Sequence, residues 1–155
     1  MSFAERGLRP SVVRLAPIVH GPGDFAFIPM MIAAAQRNGV VGYVGDGVRW
    51  PAVHRCDAAN LFRVVVEGGS VGGSYHSTAE NVDMAHVAEV IARRLGLRVR
   101  SLTPEQADEH FRDPFVSRAF ATDAPASSQW TRDTLGWRPG YPSLVDDLRD
   151  GDYFS

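Results

Sequence analysis

The chain has 155 residues and a mass of 16.9 kDa, enough for a single domain (1–155) that buries roughly 70% of its unfolded surface. Hydrophobic residues make up 45% and charged residues 22%, an ordinary globular mix. The net charge of −2 leaves no basic excess to hold nucleic acid, no apolar run reaches the ~20 residues that span a bilayer, and one cysteine, Cys56, excludes an internal disulfide.

MSFAERGLRP places charges early and has no apolar leader segment, so the expected compartment is the cytoplasm. Ser11–Ala16 (SVVRLA) is a β-branched apolar run between Pro10 and Pro17 and predicts a buried strand. His20-Gly-Pro-Gly-Asp24 predicts a turn, with Asp24 as helix N-cap. Phe25–Asn38 then shows helical spacing at Phe27, Met30, Met31, Ala34 and Ala35, closed by Gly39. Val40–Val44 predicts a second strand and Ala52–Arg55 a brief extended piece. Asp57 is expected to cap a helix over 58–67 with Leu61, Phe62, Val65 and Val66 facing inward, ended by Gly68-Gly69. A strand at Ser74–Ser77, an amphipathic helix at Val82–Leu95 and a strand at Val99–Leu102 follow. Thr103-Pro104-Glu105 signals the start of a helix to about Phe111. Beyond Asp113 the pattern is short helical pieces broken by Pro125, Pro139 and Pro142.

The alternation of strand and helix makes the class α/β, with about five strands and a parallel sheet expected to be incomplete within the chain.

The chemistry-bearing residues form few sharp patterns. The His20–Asp24 turn opens a helix after a strand, a place where backbone amides can meet an anion or a carboxamide, but it lacks the three spaced glycines of a dinucleotide fingerprint. Gly68–Gly73 has four glycines in six residues; it follows a helix and precedes a strand, the reverse of a phosphate cradle, and is read as a connector. His54 and Cys56 alternate in an extended piece and are expected to share a face. The five histidines have no metal-type spacing, so no metal is expected. Arg49 beside Trp50 is a candidate anion reader, because a guanidinium fork next to an aromatic suits a phosphate. All 16 basic residues are arginine. Schiff-base catalysis, a P-loop lysine and a Tyr-x-x-x-Lys acid–base pair are therefore excluded from the chain itself.

Taken together, Ser11–Gly23, Phe27-Ile-Pro29, Gly45-Asp-Gly47, Arg49-Trp-Pro-Ala-Val-His54, Asp57-Ala-Ala59 and Leu135-Gly-Trp-Arg-Pro139 recur in an order that resembles the extended short-chain dehydrogenases/reductases, the NAD-dependent epimerase/dehydratase family. The resemblance runs from about Glu5 to Phe154 and matches the C-terminal half of that family. It implies an incomplete Rossmann-like unit, holding the C-terminal strands of a parallel sheet, with a small, mostly helical substrate lid. The family's other half carries the glycine-rich nucleotide loop and the Tyr-x-x-x-Lys pair. Here Tyr43, Tyr75 and Tyr141 are followed four residues on by Gly47, Ala79 and Val145.

The resemblance places Pro17, Ile18, Val19 and His20 at the nicotinamide edge of an NAD or NADP site. It places Phe27, Arg49, Trp50 and His54 on the substrate side. Ile18 stands where the family often carries a substrate-touching asparagine, which counts against a nucleotide-sugar substrate. The implied function is the substrate-binding and cofactor-edge portion of an NAD(P)-dependent oxidoreductase or epimerase-like protein. Alone, it is expected to be inactive and to bind no cofactor. A companion N-terminal half is the first expected partner. The alternatives are a non-catalytic ligand-binding module or a self-associating one that pairs through a sheet edge.

Overall fold

The computed structural model describes residues 6–154; Glu5, where the resemblance begins, lies outside them. The described residues form seven short strands and seven helices, the strands partly in consecutive pairs and the last four helices in succession. The strands are β1 (Val12–Arg14), β2 (Ile18–His20), β3 (Val40–Val44), β4 (Arg49–His54), β5 (Ser74–His76), β6 (Glu80–Asp83) and β7 (Arg98–Leu102). The helices are α1 (Phe27–Asn38), α2 (Arg55–Gly68), α3 (Met84–Leu95), α4 (Pro104–Phe111), α5 (Pro114–Phe120), α6 (Gln129–Leu135) and α7 (Leu144–Asp150).

The strands form three small sheets. β1 pairs with β5 and β3 with β7, both parallel; β4 lies between β2 (parallel) and β6 (antiparallel). The run expected as a buried strand over 11–16 holds β1 alone, with Val12 and Arg14 exposed, and a second strand, β2, follows Pro17. Pro17 has no N–H to donate, and the chain crosses there from the β1–β5 pair to the β4 sheet. β6 was hidden in the sequence at the front of the helix expected from Val82. Asp83 accepts from the amides of Ala85 and His86, and this cap starts α3 two residues later.

Two apolar clusters hold the fold. The larger joins α1, β3, α3, α4, α5 and α7 through residues such as Ile28, Met31, Val41, Ile91, Phe111 and Leu148. The smaller places Val53, Leu61, Val65, Tyr75 and Trp137 under α2. The inner face of α2 is Asp57, Ala58, Leu61 and Val65; Phe62 is exposed and Val66 is 80% exposed, contrary to expectation. The inward face is the one that packs against Val53, Tyr75 and Trp137. His54, not Asp57, is the N-cap, and its Nδ1 accepts from Cys56 N at 3.1 Å, which leaves Asp57 in the first turn facing inward. His54 therefore ends β4 and Cys56 lies on α2, so the two do not share a strand face. In α1 the residues facing inward are Ile28, Met31, Ile32, Ala34 and Ala35, while Met30 faces solvent. Asp24 does not occupy the N-cap position, which is Ala26; its Oδ1 accepts from Ala26 N and its Oδ2 from Tyr153 OH.

His110 on α4 gives the larger core a pH dependence. Asn38 Nδ2 donates both to the His110 carbonyl and to His110 Nδ1, at 3.0 and 3.1 Å. The ring is thus neutral, with its proton on Nε2, and it lies against Gly42, where a Cβ would stand 3.0 Å from that nitrogen. Burial lowers the His110 pKa, with Arg37 and Arg100 adding to the effect, and burial also lowers that of His54 against the opposing pull of Asp147. A histidine with a depressed folded pKa is fully stabilising above its unfolded value of about 6.5, and that contribution is lost as the pH falls toward the folded pKa. Thermal melts are expected to show falling stability from pH 7.5 to 5, by at most about 1.4 kcal/mol per pH unit from each histidine. His110→Asn keeps an acceptor for Asn38 and cannot take a proton, so its melting temperature should vary less over this range than that of wild type. An equal slope in the two proteins contradicts the assignment.

Candidate functional site

In open α/β sheets, ligands gather at the carboxyl ends of strands. Here β2 and β4 end side by side, with His20 in register with His54. The rings meet edge to face with centroids 5.4 Å apart. Asp147, from α7, lies between them: its Oδ2 is 2.6 Å from His20 Nδ1 and 3.9 Å from His54 Nε2. Tyr141 stacks on His54 with the rings 3° from parallel and 4.9 Å apart. The approach is tight. A Cβ on Gly21, at φ +117°, would lie 2.8 Å from His54 Nε2.

The C-terminal segment closes over these strand ends at several points. Glu80 Oε1 accepts from Leu144 N at 2.9 Å, and Ser143 and Asp146 form a capping box at the start of α7. Tyr153 OH donates to Asp24 Oδ2 at 2.7 Å and accepts from Gly21 N at 3.4 Å. Burial drives the Tyr153 phenol pKa far upward, with the bond to Asp24 adding to it, so this hydroxyl keeps its proton. The segment before α7 hangs on Asp57. Its Oδ1 accepts from Gly140 N, its Oδ2 from Tyr141 N, both at 3.0 Å, and its carbonyl accepts from Trp137 Nε1 at 3.1 Å. A cavity opens beside this cluster, lined by Gly21, Pro22, Asp147, Asp150 and Tyr153. A second lies on the other side, lined by His20, Glu80, Arg132, Tyr141 and Ser143.

The residues singled out in the sequence separate into several places. Of the cofactor-edge group, Pro17 is exposed, Val19 half-buried, and the Ile18 and His20 side chains are buried. Leu15, two residues before this group and just past the end of β1, is 49% exposed. Arg49 and Trp50 are divided by the strand. Trp50 is 4% exposed and faces the core, with its ring edge-on to Phe27 at 4.9 Å and near Phe120 at 5.3 Å, and its Nε1 donating to Thr122 O. Arg49 points outward; its Nη2 lies 3.2 Å from Asp123 Oδ2, and Asp123 Oδ1 also accepts from Arg49 N at 2.8 Å. This contact holds the guanidinium pKa above its ordinary value and that of the carboxylate below. Both remain about half exposed, open to a third group.

The sequence did not single out Asp147, Tyr141 or Glu80 for this cluster. Asp147 sits in an acidic tail with the look of a solvated helix face, and its partner His20 is 127 positions away. The only local hint was the pair of histidines closing two apolar runs.

The two glycine-rich stretches use their amides internally. Gly21 N bonds Tyr153, and Pro22 O accepts from Arg55. In the second stretch, Gly69 N, Ser70 N, Gly72 N and Gly73 N bond Val65 O, Tyr75 OH, Pro10 O and Ser70 O respectively. Neither turn leaves these amides open as a phosphate cradle would. Among the described residues, no group of three His, Cys, Asp or Glu side chains is placed to hold a metal ion, and no helix is long and apolar enough to cross a membrane.

This architecture is that of the C-terminal half of the Rossmann-like nucleotide-sugar dehydratases and epimerases. The chain superposes on a dTDP-glucose 4,6-dehydratase of Streptomyces venezuelae, solved with NAD and TYD bound, with a TM-score of 0.69 and 21% identity over 97% of this chain and 45% of that one. It also superposes on a nucleoside-diphosphate-sugar epimerase of Pseudomonas aeruginosa, with a TM-score of 0.67 and 19% identity over 98% of this chain and 52% of that one. In sequence it is 44% identical to an uncharacterized protein of Schizosaccharomyces pombe over 99% of this chain and 52% of that protein. It is 40% identical to an uncharacterized protein of Saccharomyces cerevisiae over 96% and 50%. The chain thus spans about half the length of the curated relatives it matches. No protein-family model matches the sequence.

Proposed function

We propose that the chain is the substrate-binding and cofactor-edge portion of an NAD(P)-dependent oxidoreductase or epimerase-like protein of the short-chain dehydrogenase/reductase family, and that it needs a nucleotide-binding half to turn over. The observation that carries this reading is the superposition of nearly the whole chain on the C-terminal half of a dehydratase solved with NAD. Leu15 and Pro17, exposed between β1 and β2, form the lip that meets the nicotinamide. The His20–Asp147–His54 cluster behind them fixes the backbone of 17–20. Arg49, held by Asp123 and open on one side, takes an anionic group of the substrate, and Phe27 and Trp50 support it from the core rather than touching the ligand.

The purified chain alone is expected to show no oxidation of NADH or NADPH and no reduction of NAD or NADP with nucleotide-sugar substrates. Turnover by the chain alone overturns the reading. A nucleoside diphosphate should raise its melting temperature, and Arg49→Ala should weaken that binding about tenfold, the effect of one charged hydrogen bond. A neutral ligand that stabilises the chain as strongly in R49A as in wild type favours instead a non-catalytic binding module.

A further inference from the structure

We infer that the cavity beside His20, between β6, α6 and the start of α7, is a binding site for a neutral polyhydroxylated ring of monosaccharide size. It is separate from the substrate side assigned to Arg49, which stands at the opposite end of β4 from His54, roughly 16 Å along the strand. The inference does not rest on the functional reading above.

The cavity has a volume of about 230 Å³. That is below the roughly 300 Å³ at which pockets for drug-sized ligands begin, so it suits one small ring rather than a nucleotide. His20 forms part of its wall and is 1% exposed. Its Nδ1 is held by Asp147 Oδ2 at 2.6 Å, and its Nε2 has no partner among the described residues. Asp147 lines the cavity on the opposite side, so the free nitrogen is the one turned toward this cavity. With the proton on Nδ1, the neutral ring presents Nε2 as an acceptor. A buried acceptor left unbonded is costly, and a ligand hydroxyl removes that cost.

Glu80 and Arg132 line the same cavity, yet no ion pair joins them. Each is pinned from behind. Glu80 Oε1 accepts from Leu144 N at 2.9 Å. Arg132 Nε donates to Ser128 Oγ at 3.0 Å, its Nη2 donates to the carbonyls of Thr78 and Ala79 at 3.2 and 2.8 Å, and its guanidinium lies 5.6 Å from the Trp137 ring centroid. Glu80 Oε2 and Arg132 Nη1 are left without partners among the described residues. Opposite charges that share a cavity without meeting are matched by groups that donate to one and accept from the other, as hydroxyls do. The two charges also cancel, which leaves nothing to select an anion or a cation.

The remaining wall is apolar. Tyr141 is 54% exposed and already flattened against His54, and Pro139 and Pro142 stand beside it. An apolar surface with a few fixed donors and acceptors is the usual make-up of a small-molecule site. A sugar ring offers the matching pair of surfaces, C–H faces and a rim of hydroxyls.

The test is calorimetric titration of the purified chain with D-glucose, D-galactose, D-mannose and myo-inositol, with acetate and methylammonium as charged controls. At least one neutral ring should bind with a dissociation constant of about 1 mM or below. Glu80→Gln keeps the acceptor for Leu144 N and turns the free oxygen into an NH2. His20→Asn keeps a donor for Asp147 and has no Nε2. Each should weaken binding about tenfold, the effect of one hydrogen bond to a charged or buried group, while Arg49→Ala leaves it unchanged. Thermal melts verify that the variants fold, and Glu80→Gln decides the matter if His20→Asn unfolds. Failure of all four rings to bind below about 20 mM overturns the inference. Binding that Glu80→Gln leaves intact, or that Arg49→Ala abolishes, overturns it as well, since the ring then sits elsewhere. So does tighter binding of acetate or methylammonium, which assigns the cavity to a charged ligand.

Discussion

Trp50→Ala is expected to lower stability by about 3–5 kcal/mol, the usual cost of truncating a buried aromatic. In a chain of this length that is a fall of roughly 6–20 °C in melting temperature. Trp50 lies against Phe27 and Phe120 in the larger cluster, and its indole N–H is satisfied by Thr122 O at 2.9 Å. The alanine variant therefore leaves a cavity among β4, α1 and α5 and strands a carbonyl. Trp50→Phe keeps most of the volume and should recover more than half of the loss. If Trp50 instead formed a ligand wall, the alanine variant would melt near wild type and lose only ligand binding. Calorimetric melts of the free protein distinguish the two outcomes.

Substitution of Asp57 is expected to be nearly as damaging, with about 3 kcal/mol lost for Asp57→Ala, because two amide bonds to a buried carboxylate go together. The informative variant is Asp57→Asn. Both carboxylate oxygens accept from backbone N–H groups, those of Gly140 and Tyr141. Asparagine offers one acceptor and would aim its NH2 at the other amide, donor against donor. It should therefore be almost as destabilising as alanine despite its matching shape. Because the same loop carries Tyr141 onto His54, hydrogen exchange should quicken at 137–141 and at the β4 end in either variant. A melting temperature for Asp57→Asn within a degree of wild type refutes this account.

Much of the fold was readable from local chemistry. Gly39 and Gly96 close α1 and α3 in the left-handed conformation, and Thr103 with Pro104 opens α4, as their residue types demand. What escaped was whatever depended on distant residues. Phe62 and Val66 fit an apolar helix face by spacing, yet α2 packs through Ala58, Leu61 and Val65 against Val53, Tyr75 and Trp137, which turns them to solvent. Asp57 looked like a helix cap; its partners lie 83 and 84 residues later. β6 is a four-residue antiparallel strand whose pairing with β4 no local pattern announces. The cluster at the strand ends was half legible, as two histidines without their carboxylate.

The bond between His20 and Asp147 joins positions 127 apart. During synthesis the first sheet residues leave the ribosome long before the helix that seals them. Until the codons of α7 are read, His20, Gly21 and His54 lack this cover, and native closure waits on a loop of 127 residues. A nascent chain stalled before Ser143 should therefore be a better client for chaperones than the finished protein.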